Sequence, residues 1–139
     1  MKKFLCLAGA LSGALTLAAA TRLGPFELEE CGRIGVGGLS FGLAHFDSSW
    51  LRTAQNDASV TPGKVPAAVE GEFLLDGVFR VRGGEFQLRE KVKAIGENSI
   101  SISISLRSDQ GVHAGELMFD TFLPHRDFVR DGIGINGKK

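Results

Sequence analysis

A chain of 139 residues in which 16 basic side chains balance 16 acidic ones has no charge excess for gripping a phosphate backbone. No block of like charge reads as a tail, so neither a nucleic-acid partner nor an electrostatic docking arm is expected. At this length one domain buries about two thirds of the surface its unfolded chain exposes, enough for one core.

The chain opens MKKFLCLAGALSGALTLAAATR. Two lysines precede an uncharged stretch from Phe4 to Thr21 that closes on Ala18-Ala19-Ala20. Basic start, apolar middle and small residues at a cleavage point are the order of a secretory signal peptide. Residues 1–20 are therefore read as a leader, and the mature chain is expected to be secreted or periplasmic, with no membrane attachment after cleavage. The competing reading, a retained anchor, asks for roughly 20 strongly apolar residues, and this run is rich in Ala and Gly. Cleavage leaves 14 basic against 16 acidic side chains, a formal charge of −2, with Cys31 alone. A single thiol makes no internal disulfide, and Cys31 reads as a small buried hydrophobe.

Residues 21–66 are predicted to form an irregular, Gly-rich segment and loop. CGRIGVGGLSFG holds five glycines in twelve residues, which argues against a helix and for short strands with bends or bulges. HFDSSWLRTAQNDASVTPGKVP has no sustained period and reads as loop, with room for a single helical turn around Ser48–Ala54.

Residues 67–139 change character. AVEGEFLL, VFRVR, EFQLREKVKAI, SISISISLRS and AGELMFDTFL alternate apolar and polar residues with period 2. Breaks fall at Asp76-Gly77, Gly83-Gly84, residues 96–98 and residues 108–111; the first two are hairpin-turn dipeptides. The prediction is an all-β fold: an antiparallel sandwich of meandering hairpins, without a parallel α/β sheet. Phe86, Leu88, Val92 and Ala94 share one face, which Ile100, Ile102, Ile104 and Leu106 should extend across the sheet. Glu90 falls on that apolar face, so the strand must bulge there or supply Glu90 with a partner. Leu117, Phe119 and Leu123 are expected to continue the face. Asp131-Gly132 and Asn136-Gly137 are further hairpin turns lying so near the end that the sheet reads as truncated.

Chemical motifs are sparse. Gly38-Leu39-Ser40-Phe41-Gly42 matches the nucleophile elbow of serine hydrolases, and His113 or His125 with Asp76, Asp109 or Asp120 would complete a triad on paper. An elbow needs a strand-to-helix turn around the serine, which no pattern here supplies. His45 with Asp47, and His125 with Asp127, are two-residue pairs, too few ligands for a metal site. Glu70, Glu72, Glu85, Glu90, Glu116 and Asp120 are candidates for a glycosidase carboxylate pair, against the commoner reading of solvated strand faces. No cofactor is expected. Trp50, the sole tryptophan, is the one ligand-binding candidate. It would stack on a sugar ring or plug the sandwich edge, and the usual burial of large aromatics favours the plug.

From about Pro66 onward the succession GEFLLDGVFRVRGGEFQLREKVKAIGENSISISISLRSDQGVHAGELMFDTFLP, then INGKK, resembles the β-sandwich domain near the N-terminus of large secreted bacterial glycan-degrading enzymes. Phe86-Gln87-Leu88-Arg89-Glu90, Leu123-Pro124 and the final Asn-Gly-Lys carry the likeness. The resemblance implies an accessory domain, structural or substrate-presenting, whose partners are a glycan and a catalytic domain beyond this chain. It carries no catalytic residue onto this sequence. A free-standing carbohydrate- or surface-binding module is the alternative, and a Ser40 hydrolase the second.

Overall fold

The computed structural model describes residues 21–64, 66–113 and 115–122. Residues 1–20, read above as a leader, and Leu123-Pro124, the His125/Asp127 pair and the turn signals at 131–132 and 136–137 lie outside the described residues.

The described residues hold eleven strands and no helix. They are β1 (Thr21–Leu23), β2 (Phe26–Leu28), β3 (Ile34–Val36), β4 (Leu39–Phe46), β5 (Arg52–Ala54), β6 (Val60–Pro62), β7 (Ala67–Val69), β8 (Glu72–Val81), β9 (Gly84–Gly96), β10 (Ser99–Arg107) and β11 (Glu116–Phe122). One sheet runs β1-β2-β3-β4-β11, with β5 also on β4; the other runs β10-β9-β8-β6, with β7 also on β8. Every pairing is antiparallel. Leu28, Ile34 and Leu43 of the first sheet meet Phe73, Leu75, Phe79, Leu88 and Val92 of the second in a single core. The fold is the all-β antiparallel sandwich that the alternation predicts.

The second sheet follows the sequence pattern closely. β9 pairs with β10 so that Val92 faces Ile102, Glu90 faces Ile104 and Leu88 faces Leu106. The four serines of β10 stand on the opposite face, exposed, with Ser101, Ser103 and Ser105 beside Lys93, Lys91 and Arg89. That outer face is held by ion pairs of Asp76 with Arg89 and of Glu72 with Lys91 and Lys93. All are solvent-facing and contribute at most modestly to stability.

Three expectations are corrected. Asp76-Gly77 is not a turn, because β8 passes straight through it. Glycine stands there since β6 crosses close by: a Cβ on Gly77 would lie 2.7 Å from the Thr61 carbonyl oxygen. The turn is instead Glu70-Gly71, with φ of 51° and 78°, joining β7 to β8 where one continuous strand was expected. β11 does not extend the meander but crosses to the first sheet and lines the full length of β4. Leu117 and Phe119 consequently remain largely exposed. Finally, the short strands expected around CGRIGVGGLSFG are present as β3 and β4, but β5 and β6 lie where a loop was expected, since three-residue strands are too short to show a period. Ser48 and Ser49 form a turn, and no helical turn follows.

Gly77→Ala should destabilise the domain by about 1–3 kcal/mol, since the clash is with backbone that cannot rotate away. Urea denaturation measures this, and an unchanged midpoint would show that β6 does not pack against β8 at this point.

Candidate binding face on the first sheet

β4 has two edges. β11 covers one, while the other is shared: β3 pairs with Leu39–Phe41 and β5 with Ala44–Phe46. At the gap between them the backbone of Leu43 needs partners that no strand supplies. Gln55, next after β5, provides both. Its backbone N–H donates to the Leu43 carbonyl at 2.8 Å, and its side-chain Oε1 accepts from the Leu43 N–H at 2.8 Å. Its Nε2 then donates inward to the Cys31 carbonyl and to Glu90 Oε2, each at 2.8 Å.

Glu90 is fully buried. The strand does not bulge there; the expected partner exists, and it is Gln55. The carboxylate's other oxygen has no partner. Burial, partly offset by the Gln55 hydrogen bond, raises the Glu90 carboxyl to about 7. Gly32, at φ 89°, lies against this pair, and a Cβ there would overlap both Glu90 Oε2 and Gln55 Nε2. His45 is also fully buried, its ring tilted against Phe86 and neither nitrogen bonded. Burial pushes the Cys31 thiol up to about 12, so Cys31 is no nucleophile at neutral pH.

The same gap opens on the outer face of the sheet as a hollow of about 160 Å³. Its middle is Gly42, where a Cβ would stand 3.2 Å from both Arg33 Cγ and Gln55 Oε1. Arg33, Ser40, Arg52, Asn56 and Asp120 surround it. Arg33 donates to Ser40 Oγ at 2.5 Å, and Arg52 reaches across β4 to Asp120 at 2.8 Å.

Four residues along β4, about 13 Å away, Phe46 lies on the same face as Gly42 and directly opposite Arg52. Phe46 packs on Trp50, with ring centroids 6.1 Å apart. Trp50 is 68% exposed, so it does not plug the sandwich edge. Its backbone is left-handed, φ 61°, a conformation that a bulky side chain adopts only when its surroundings enforce it. Asp47 is the enforcer: its Oδ1 accepts from the Ser49 and Leu51 N–H groups at 2.8 and 3.0 Å, and its carbonyl accepts from Trp50 at 3.0 Å. These bonds, led by that from Leu51, hold the Asp47 carboxyl below the usual carboxylate range.

The other sequence candidates are not assembled. Ser40 lies in an extended strand, bound by Arg33, and His45 is on the opposite face of β4. Asp76, Asp109 and Asp120 are each paired with an arginine, and His113 is exposed on the segment before β11. His45 and Asp47 diverge, one into the core and the other into its loop. Among the described residues no three His, Cys, Asp or Glu side chains converge on one point. Of the six glycosidase candidates, Glu72, Glu85 and Asp120 sit in separate ion pairs, and Glu70 occupies a turn. Arg33, Arg52 and Gln55 went unmarked by the sequence, and Gly42 was marked only within the elbow motif, because nothing local signals a gap between two short strands. Only Glu90, polar on an apolar face, pointed toward one of them. Comparison with protein families, curated proteins and solved structures gives no match to this chain.

The raised Glu90 carboxyl makes stability pH-dependent with a definite sign. Its folded value of about 7 lies above the ordinary 4.5, so the native state binds the proton more tightly. Stability is therefore greatest below about pH 4.5, as far as this group is concerned, and falls as pH rises toward 7, by on the order of 3 kcal/mol. Glu90→Gln should remove this component, flattening the profile between those limits when thermal melts are compared across pH.

Proposed function

We propose that this chain is an exported β-sandwich domain that binds carbohydrate and serves a polysaccharide-processing protein, with its catalysis carried out elsewhere. The observation that carries the reading is Trp50: an exposed indole held in a left-handed backbone on a closed loop, beside a polar hollow on the same face. Backbone strain that turns a large apolar ring toward water is the kind of strain that marks binding sites. An indole face stacked on the C–H face of a sugar, with polar groups nearby for its hydroxyls, is a general mode of carbohydrate recognition.

A second feature supports the accessory role. Among the described residues β10 and β11 end opposite sheets, and between them Leu43, Ile104, Leu106, Leu117 and Phe119 line an apolar cleft. An apolar cleft of this kind is suited to pack on further polypeptide, as a domain attached to a catalytic neighbour would. The leader at residues 1–20 supports export.

Titration with xylan, laminarin and pectin fragments, followed by the fluorescence of the single tryptophan, tests the reading. At least one glycan should shift the emission saturably, and Trp50→Ala, followed by calorimetry, should weaken its binding about ten-fold. Trp50→Gly should weaken it equally while leaving the melting temperature unchanged or raised, because glycine relieves the left-handed strain. If none of the glycans binds, or if Trp50→Ala binds as well as the native chain, the reading fails.

A further inference from the structure

We infer that the hollow over Gly42 is an anion-selective sugar subsite, taking the carboxylate of a uronic acid residue on Arg33; this rests on, and narrows, the carbohydrate-binding reading. The hydrogen-bonding inventory of its wall carries the inference. Arg33 has five N–H donors. One is spent on Ser40 Oγ, and none meets a carboxylate among the described residues. Because the Ser40 oxygen accepts from Arg33, its own proton is left to donate. The Asn56 side-chain oxygen accepts from the Ala58 and Ser59 N–H groups at 2.9 and 3.0 Å, which leaves its NH₂ facing outward chemistry. Gln55 Oε1 is taken by Leu43. The one carboxylate on the wall, Asp120, accepts from Arg52 and from the Thr121 N–H.

What remains unspent is therefore almost entirely donors, and the ligand that complements donors is an acceptor-only group. An ionised carboxylate is that group, with about four lone-pair sites in one plane. Arg52 and Asp120 cancel, so the wall keeps the single positive charge of Arg33, which is itself half-buried. Among the described residues no acid forms an ion pair with Arg33, and Glu27 is held by Arg22 instead. A guanidinium partly withdrawn from water and lacking a counter-charge binds a planar carboxylate in fork geometry more strongly than it binds a neutral hydroxyl. The remaining Ser40 and Asn56 donors suit the ring and hydroxyl oxygens beside that carboxylate. Trp50 and Phe46, about 13 Å along the strand, would take a neighbouring sugar of the same oligomer.

The test compares four probes of equal length by calorimetry on the intact chain: oligogalacturonate, its methyl ester, a neutral cello-oligosaccharide and a sulfated oligosaccharide. The acidic oligomer should bind about 10-fold tighter than its ester and lose that margin in high salt. Arg33→Gln should erase the difference between acid and ester, and Arg33→Lys should restore only part of it. Circular dichroism confirms that the variants fold. Equal affinity for acid and ester, or a margin that survives Arg33→Gln, overturns the subsite while leaving the carbohydrate reading intact. Tighter binding of a sulfated oligosaccharide of the same length overturns the carboxylate assignment. Binding by none of the probes overturns both the subsite and the reading beneath it.

Discussion

The side-chain amide of Gln55 is the hinge of the architecture. Where two short strands fail to cover one edge of β4, it supplies the missing backbone partner and then reaches through the sheet to Cys31 and Glu90. Three elements that are distant in sequence are joined by one planar group with its oxygen and its NH₂ both employed. Removing it would leave the Leu43 N–H, the Cys31 carbonyl and the Glu90 carboxylate short of partners in the core, each an uncompensated desolvation. A hydrophobic residue of similar size would fill the space without answering any of them.

Inner and outer surfaces of the first sheet are therefore linked. The gap that Gln55 bridges on the inside is the hollow that Gly42 and Arg33 frame on the outside. The hollow and the buried carboxylate share a single residue. The Trp50 loop is set by a different device, the Asp47 side chain acting as a local backbone substitute. The face thus combines a rigid aromatic end with a polar end, each fixed by a side chain doing the work of main chain.

How much of this could be read beforehand depended on strand length. β9 and β10 run for 13 and 9 residues, long enough for alternation to state both faces and the register between them. β1, β2, β3 and β5 have three residues each, less than two periods, so most of the first sheet was invisible as a sheet. Turn dipeptides misled for a physical reason. Asp76-Gly77 has turn composition, but its glycine answers a close backbone approach from a strand that sequence reasoning had placed in a loop. Glu90 was legible as a problem, though not as a solution, since its partner lies 35 residues away. Trp50's exposure depends on one backbone angle, which composition does not encode. The hollow is the least legible feature, being defined by where two strands part.

The crossing of β11 has a kinetic consequence. β8, β9 and β10 are joined by two-residue turns, so their pairing closes only short loops and proceeds rapidly. β4 must wait for a strand whose nearest pairing, Phe46 with Glu116, spans seventy residues. Contacts of that separation raise contact order and slow folding. Until β11 arrives, one edge of β4 stands open, and among the described residues β10 presents its Ile/Ser run as another edge without a partner strand. Both are templates for intermolecular pairing during that interval. A domain built this way gains from being kept apart from its own copies while it folds, and its most aggregation-sensitive moment comes just before β11 docks.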